Sequence, residues 1–297
     1  MRIHDLCLAW NWEYDNDFIM LLQEAFDRRG LSLLRAALHN VNDVTTALKS
    51  NDYGFNVFWN RATGSEAEFR ELVRWAGAHG VYCINSHDKT ILACDKAIMH
   101  YILINAGIHT PYTTILPSYD KHPVISPPDL TPLKTNFIIK PAYGGGGEGV
   151  VMNASTFDEI NEARKEYPTD RYLVQANISP VNINGQPAWF RVIYCTGQTY
   201  PCWWNPETHI YKPVTPGEEI KYNLNTLRTI ITTIANLTNL DIMSTEIAYT
   251  ADEQFVVIDY VNDEIDLRLQ SRAMDGVPDE IVRDVVDRVA TLVATYR

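Results

Sequence analysis

The sequence predicts an α/β protein whose C-terminal part is α+β, and three patterns predict it. Short apolar runs alternate with amphipathic helical stretches over the first hundred residues, which is how βαβ units around a parallel sheet are written. A buried-strand pattern, Phe137-Ile138-Ile139, then carries Lys140 into the run from Tyr143 to Val150, which holds Gly144, Gly145, Gly146, Gly147 and Gly149. Further on, Thr245–Thr250 and Phe255–Tyr260 read as a hairpin that opposes two carboxylates.

In order along the chain, the alternation runs Ile3–Ala9, Phe18–Arg29, Leu31–Leu38, Val41–Lys49, Phe55–Trp59, Glu66–His79 and Val81–Asn85. Ligands of parallel sheets gather beyond the carboxyl ends of the strands, which nominates the loops Asn11–Asp17, Asn60–Gly64 and Asn85–Asp88. A helix from Asp95 through Asn105 ends at Gly107 as a left-handed cap, and Pro111–Leu116 is extended. The proline-rich stretch His122–Pro132 reads as a surface loop. Past the glycines come a helix over Phe157–Glu166 and a strand over Tyr172–Gln175. A hairpin follows, with Phe190–Cys195 and Thr199–Trp204 around Thr196-Gly197-Gln198. A helix over Leu224–Leu237 precedes the second hairpin. Pro278–Thr295 closes the chain as a helix with Ile281, Val282, Val285, Val289 and Leu292 on one face.

With 297 residues the chain can hold a large core in two or three subdomains. Its 25 Lys+Arg against 37 Asp+Glu give a formal charge of −12, which argues against nucleic acid or an anionic membrane as the partner. Any anionic ligand must then be held by a local cluster of cations. Cys7, Cys83, Cys94, Cys195 and Cys202 are odd in number and form no C-x-x-C pair, so neither a disulfide framework nor a zinc knuckle is expected. The start of the chain carries no export signal, and no stretch approaches the roughly 20 apolar residues of a membrane span. A cytoplasmic protein is the expectation.

Gly144, Gly146 and Gly149 satisfy G-x-G-x-x-G, a spelling shared by several nucleotide loops, so the neighbours have to decide. A dinucleotide fingerprint opens a helix, whereas Val150-Val151-Met152 continues as a second β-like segment. A phosphate loop of the Walker type ends in Gly-Lys-Ser/Thr, and here the lysine comes first. A protein kinase needs His-Arg-Asp and Asp-Phe-Gly elements, which the chain lacks. A plain glycine linker is the structural alternative. Lys140, deep in apolar sequence, calls for an anion to compensate its burial. Glycine backbones supply converging N–H groups for a phosphate.

Centring the second hairpin's turn on Asp252-Glu253 sets Glu246 opposite Asp259. Two carboxylates facing each other repel unless a cation lies between them, and with Asn262 nearby the oxygen donors suit magnesium. The alternative is that both point to solvent from an edge strand. Arg61, at the end of the Phe55–Trp59 strand, either grips a substrate carboxylate or makes a surface salt bridge.

These residues together resemble the ATP-grasp superfamily, over most of the chain. Asn85-Ser86 through Cys94-Asp95-Lys96, with Ala106-Gly107-Ile108 and Pro111, resembles the approach to the nucleotide site in RimK-type ligases and glutathione synthetases. Lys140 with the glycine run is similar to the biotin carboxylase version, Tyr172–Ile178 to the hinge against adenine, and Phe190-Arg191-Val192 to the strand carrying a phosphate-binding arginine. The resemblance implies an ATP-grasp fold with a Rossmann-like N-terminal unit. Its divisions are a substrate domain at 1–94, a central subdomain with the glycine loop at 95–174, and a C-terminal subdomain with the metal site at 175–297.

By that likeness Lys96 and Lys140 hold the α- and β-phosphates of ATP, and Gly144, Gly145, Gly146 and Gly147 close over the triphosphate. Gln175, Ala176, Asn177 and Ile178 face the base. Glu246, Asp259 and Asn262 bind Mg²⁺, with Mn²⁺ as an alternative. Arg191 offsets charge on the transferring phosphoryl group, and Lys212 reaches toward the γ-phosphate. The implied activity joins a small-molecule carboxylate to an amine or a peptide through an acyl phosphate; a regulatory module without turnover and a small-molecule kinase are the rivals. A homo-oligomer is left open.

Three departures stand out. Asn262 falls three residues after Asp259 where the family places it two after, so either the strand bulges or Asp263 replaces a ligand. Trp189 stands where the RimK-type group has an acid. The segment Asn205–Lys212 replaces a basic, asparagine-containing one; within it His209 and Tyr211 either line the acceptor pocket or pack on the sheet, and, apart from these departures, the cluster of Asp263, Asp266 and Arg268 beyond the hairpin has a solvated turn as its alternative. Substrate handling is expected to differ accordingly.

Overall fold

The computed structural model describes residues 1–62 and 67–297; Gly64 of one expected ligand loop and Glu66, the expected start of a helix, lie outside them. The first unit contains β1 (Arg2–Trp10), α1 (Asn16–Arg29), β2 (Leu33–Ala36), α2 (Val41–Lys49), β3 (Tyr53–Arg61), α3 (Arg70–Ala78) and β4 (Tyr82–Ile84). The four strands are parallel in the order β2-β1-β3-β4. Alternation within β1 explains the layers: Cys7 and Ala9 pack with Val41, Val44, Phe69 and Leu72 under α2 and α3, while Leu6 and Leu8 pack with Phe18, Leu22 and Phe26 under α1. Gly30, in the left-handed region at φ 61°, ends α1.

Two helices then bring the chain to the second unit, α4 (His87–Cys94) and α5 (Lys96–Asn105). The Asp95 carboxylate between them accepts the Ala97 and Ile98 N–H groups, an N-cap that fixes where Lys96 stands. Next come β5 (Thr113–Leu116), β6 (Phe137–Pro141), β7 (Val151–Ala154), α6 (Phe157–Glu166) and β8 (Tyr172–Gln175), whose strands form an antiparallel sheet in the order β5-β8-β6-β7. Phe137, Ile139, Tyr172 and Val174 face α6. Leu173 faces the other way, toward the last unit.

That last unit holds a short ribbon of β9 (Asn182–Ile183) and β10 (Gln186–Pro187), then β11 (Trp189–Cys195), β12 (Gln198–Trp204), β13 (Tyr211–Pro213), α7 (Pro216–Lys221), α8 (Asn225–Thr238), β14 (Ile242–Tyr249), β15 (Phe255–Asn262) and α9 (Asp279–Ala294). Its five strands run β13-β12-β11-β14-β15, all antiparallel. One face carries Phe190, Val192, Met243 and Ile247 against Leu227, Ile231 and Ile234 of α8. The other carries Ile193, Cys195, Cys202 and Ile242 into the same core as α9 and the first sheet's Leu6, Leu8 and Trp59. The first and last units are therefore joined through a common apolar core.

Polar ties reinforce that junction. The Asn85 side chain accepts the Asp241 N–H (2.8 Å) and donates to the Ile242 carbonyl (2.5 Å), and the Tyr82 hydroxyl meets both Asp241 oxygens at 2.8 Å. Two helices were not expected from the sequence. α4 replaces the later part of the loop Asn85–Asp88, its apolar period masked by the exposed Ile91 and Leu92. α7 is short, and Gly217 hides a capping box in which Thr215 and Glu218 satisfy each other's N–H groups. Among the described residues no helix is long and apolar enough to cross a membrane.

Candidate nucleotide and metal site

The glycine run is a turn rather than a helix start, closed by Glu148 N–H to the Gly145 carbonyl and Val150 N–H to the Gly147 carbonyl, both 3.2 Å. Gly144, Gly146, Gly147 and Gly149 all sit at positive φ, which explains why side chains are absent there. Below the turn, Lys140 is buried. Its ammonium donates to the Ile258 carbonyl (3.1 Å) and stands 5.4 Å from the Tyr260 ring. Burial pulls its pKa down to about 8, opposed by Asp259 and Glu246 and helped by Lys96. Lys96 donates to the Gly144 carbonyl (2.5 Å), so both lysines meet the glycine turn or its floor. Asp95 also pairs with Arg171, whose neighbour Asp170 accepts the Tyr143 N–H (2.8 Å), anchoring the start of the turn.

The second hairpin opposes Glu246 and Asp259, as expected, but by an unexpected route. Near the turn Ile247 pairs with Val257 and Tyr249 with Phe255, one residue short of the expected count, and irregularities on either side of Glu246 restore the pairing. They also explain Asn262. Tyr260 and Val261 both enter the core under α8, so Asn262 returns to the face of Asp259 and stands opposite Ser244. The strand bulge is thus the observed alternative. Asp263 is drawn away, accepting from the Thr90 hydroxyl at 2.8 Å.

The face is strongly charged. Burial pushes the Glu246 carboxyl above its usual range, Arg191 and Lys140 oppose that rise, and Asp259 adds to it. Asp259 Oδ1 and Asn262 Nδ2 are buried with no hydrogen-bond partner among the described residues. The orphaned Asp259 oxygen, on a face it shares with the Glu246 carboxylate, is the kind of hard oxygen donor that fits a divalent cation, whereas the Asn262 amide nitrogen is a hydrogen-bond donor and not a ligand. Arg191 is opposite Glu246 in the sheet; its guanidinium is 3.1 Å from Glu246 Oε1, donates to Ser244 Oγ (3.2 Å) and lies 5.0 Å from the Trp204 ring. Ser244, Trp204 and Tyr260 are supports that the sequence did not single out, since each lies within a strand whose apolar reading is complete without it.

Two expected site residues are elsewhere. Lys212 pairs with Trp203, and Arg191 with Cys202, so strand alternation puts Lys212 on the opposite face of the sheet from Arg191. It is exposed there, 3.7 Å from Glu218. Arg61 is not on the surface. It is buried against Asp15 through two 2.9 Å bonds and donates to the Ile265 carbonyl at 3.2 Å, so it ties the first unit to the segment after β15. In that segment Glu264 is raised to about 8 by burial despite Arg61, with Asp263 and Asp15 adding to the rise. Beyond it Arg268 binds Asp266 (2.7 Å) and Asp275 (2.9 Å) and lies 5.4 Å from the Trp12 ring.

Two antiparallel sheets face one another, with Lys140 on the smaller and Glu246 and Asp259 on the larger, and the chain has the ATP-grasp fold. Among solved structures it is similar to D-alanine–D-alanine ligase from Bacillus anthracis in complex with ATP, with TM-score 0.66 and 15% identity over 99% of each chain. It is similar as well to a RimK-domain ATP-grasp protein from Sphaerobacter thermophilus, with TM-score 0.64 and 18% identity over 97% of this chain and 99% of the other. The ATP-grasp ligase PsnB, complexed with a minimal precursor, Mg and ADP, gives 0.62 and 11% over 98% of each. No protein-family model and no curated protein matches the sequence.

Proposed function

We propose that the chain is an ATP- and Mg²⁺-dependent ligase that activates a carboxylate as an acyl phosphate and passes the acyl group to an amine. The observation that carries this reading is the meeting of Lys140, Arg191, Glu246 and an unpartnered Asp259 oxygen on facing sheets beneath a turn of positive-φ glycines. Similarity in fold to ligases crystallised with ATP, or with Mg and ADP, supports it.

In this reading Lys96 and Lys140 hold phosphate oxygens, and the backbone from Gly144 to Gly147 covers the triphosphate. Ala176, Asn177 and Ile178, which continue from β8, lie along the base. Glu246, Asp259 and Asn262 hold Mg²⁺, or Mn²⁺ in its place, which neutralises phosphate charge. Arg191, fixed by Ser244, Glu246 and the Trp204 ring, offsets the negative charge that spreads over the phosphoryl oxygens. A carboxylate oxygen attacks the γ-phosphorus and ADP leaves. The amine then attacks the acyl carbon, loses a proton, and phosphate leaves. The acceptor is an amine-bearing small molecule or a peptide, as suits a fold that in PsnB is found with a precursor. Five free thiols suit a reducing cytoplasm.

The test is ADP and phosphate release with panels of amino acids, dicarboxylates and peptides. Both products should appear in equal amounts with one carboxylate–amine pair, and Lys140→Ala and Glu246→Ala should each reduce turnover at least about 100-fold. ADP without free phosphate would instead mark a kinase. Unchanged turnover in both variants would refute the site.

A further inference from the structure

Trp204 stands where the site meets an exposed loop. Arg191 pairs with Cys202 and Trp204 with Tyr211, so strand alternation puts Arg191, Trp204 and Tyr211 on one face of the last sheet, with the Arg191 guanidinium 5.0 Å from the Trp204 ring. That ring is buried, yet its Nε1 has no hydrogen-bond partner among the described residues. Nothing polar fixes its orientation, so packing alone must do so. Two aromatic neighbours supply the packing. Tyr211 is tilted against it by 55° with ring centroids 4.5 Å apart, and His209 stacks on it at 5.3 Å with the two planes 3° from parallel.

His209 reaches the indole because the loop between β12 and β13 is tied to its own first residue. The Asn205 carbonyl accepts the His209 N–H (2.8 Å), its side-chain oxygen accepts the N–H groups of Glu207 (2.8 Å) and Thr208 (3.1 Å), and its N–H donates to the Ile210 carbonyl (3.2 Å). His209 itself sits in the left-handed region at φ 57°, which a side chain of this size seldom adopts. A closed loop thus holds an unfavoured φ, and the result is an exposed imidazole laid flat on a buried indole.

Arg191 depends on that indole during transfer. In the ligand-free chain its guanidinium is held by Glu246 (3.1 Å), by Ser244 Oγ (3.2 Å) and by the Trp204 ring. When Glu246 serves a divalent cation, Ser244 and Trp204 are the holds that remain. Resting on the nucleotide site and on the role given to Arg191 above, we propose that His209 is a positioning residue: by stacking on Trp204 it fixes the indole against which Arg191 is aimed at the transferring phosphoryl group. It acts through Trp204 and needs no contact with the nucleotide.

The test reads binding rather than turnover. Aluminium fluoride with ADP and magnesium mimics the phosphoryl group during transfer, and a non-hydrolysable ATP analogue mimics the ground state, so the ratio of their dissociation constants isolates what Arg191 adds in transfer. Calorimetry gives that ratio for the wild type, Arg191→Met, His209→Asn, His209→Phe and the Arg191→Met/His209→Asn pair. Asparagine tolerates the left-handed φ and removes the ring, whereas phenylalanine keeps a flat ring. His209→Asn should lower the preference for the aluminium fluoride complex about three- to tenfold, the range a stacked aromatic pair carries, and leave the ATP-analogue affinity within about twofold of wild type. His209→Phe should restore most of the preference, and in the Arg191→Met background His209→Asn should add nothing. Equal loss of both affinities in His209→Asn, no rescue by phenylalanine, or an additive double variant would mark a merely structural role and overturn the inference. So would a full preference in His209→Asn beside a lost one in Arg191→Met. If Arg191→Met matched the wild type, the role given to Arg191 would fall and the inference with it; if the wild type bound neither complex, the nucleotide site itself would fall.

Discussion

Raising the pH through 8 should weaken ATP binding through a single group, Lys140. In the ligand-free chain burial has brought its pKa to about 8, and a bound triphosphate, by supplying negative charge, restores the ammonium. If only the charged form binds well, the apparent dissociation constant scales as one plus the ratio of neutral to charged lysine. Between pH 7.5 and 9 that factor grows about eightfold, and proton uptake on binding grows from about 0.25 to about 0.9 per site. The sign differs for folding. The unfolded chain binds this proton more tightly than the fold does, so from pH 8 toward 10 this lysine adds stability while ATP affinity falls. Calorimetry with a non-hydrolysable ATP analogue, in buffer pairs of unlike ionisation heat, reads both the affinity and the proton count. Lys140→Arg, charged throughout, should flatten the proton count. An affinity constant from pH 7.5 to 9, or an unchanged slope in Lys140→Arg, would refute the reasoning.

Asp259→Asn removes one of two opposed carboxylates whose neighbour Glu246 is already pushed up by burial and by that charge, so the ligand-free protein should gain about 1 kcal/mol. Thermal melts should rise by roughly 1–3 °C while magnesium-dependent nucleotide binding is lost. Arg61→Ala strands Asp15, whose side chain is 1% exposed, and should cost about 3–5 kcal/mol in denaturant unfolding. Arg61→Met with Asp15→Leu should recover most of that; an arginine devoted to substrate would leave stability untouched on truncation. At Gly149, φ is +68° and a Cβ would lie 2.5 Å from the Tyr167 ring, so Gly149→Ala should cost about 1–3 kcal/mol. Adding Tyr167→Ala should relieve the clash but leave the backbone part, about 1 kcal/mol, visible as incomplete recovery in melts.

What the sequence revealed and what it hid divide along one physical line. Period and punctuation are local, so the strand before the glycines, the βαβ run and the capped helix from Asp95 could be read directly. Strand parity is local only while nothing interrupts it. Lys212 was expected beside the phosphates because the loop from Asn205 to Ile210 hides the count; the register Trp204 opposite Tyr211 sends Lys212 to the far face. At β15 the interruption worked the other way. The bulge that spoils simple alternation lets both Tyr260 and Val261 into the core and brings Asn262 back beside Asp259, so a spacing that looked like a departure serves the same site. Arg61 and Gln175 belong to a third kind. Their partners, Asp15 and Ile265 in one case and Thr113 and Tyr260 in the other, are distant in sequence, and no periodicity announces a contact between residues brought together by packing alone. For such residues function becomes legible only by accounting for every donor and acceptor. By that accounting Arg61 commits four of its five N–H donors to Asp15 and Ile265, while Gln175 has an acceptor to spare.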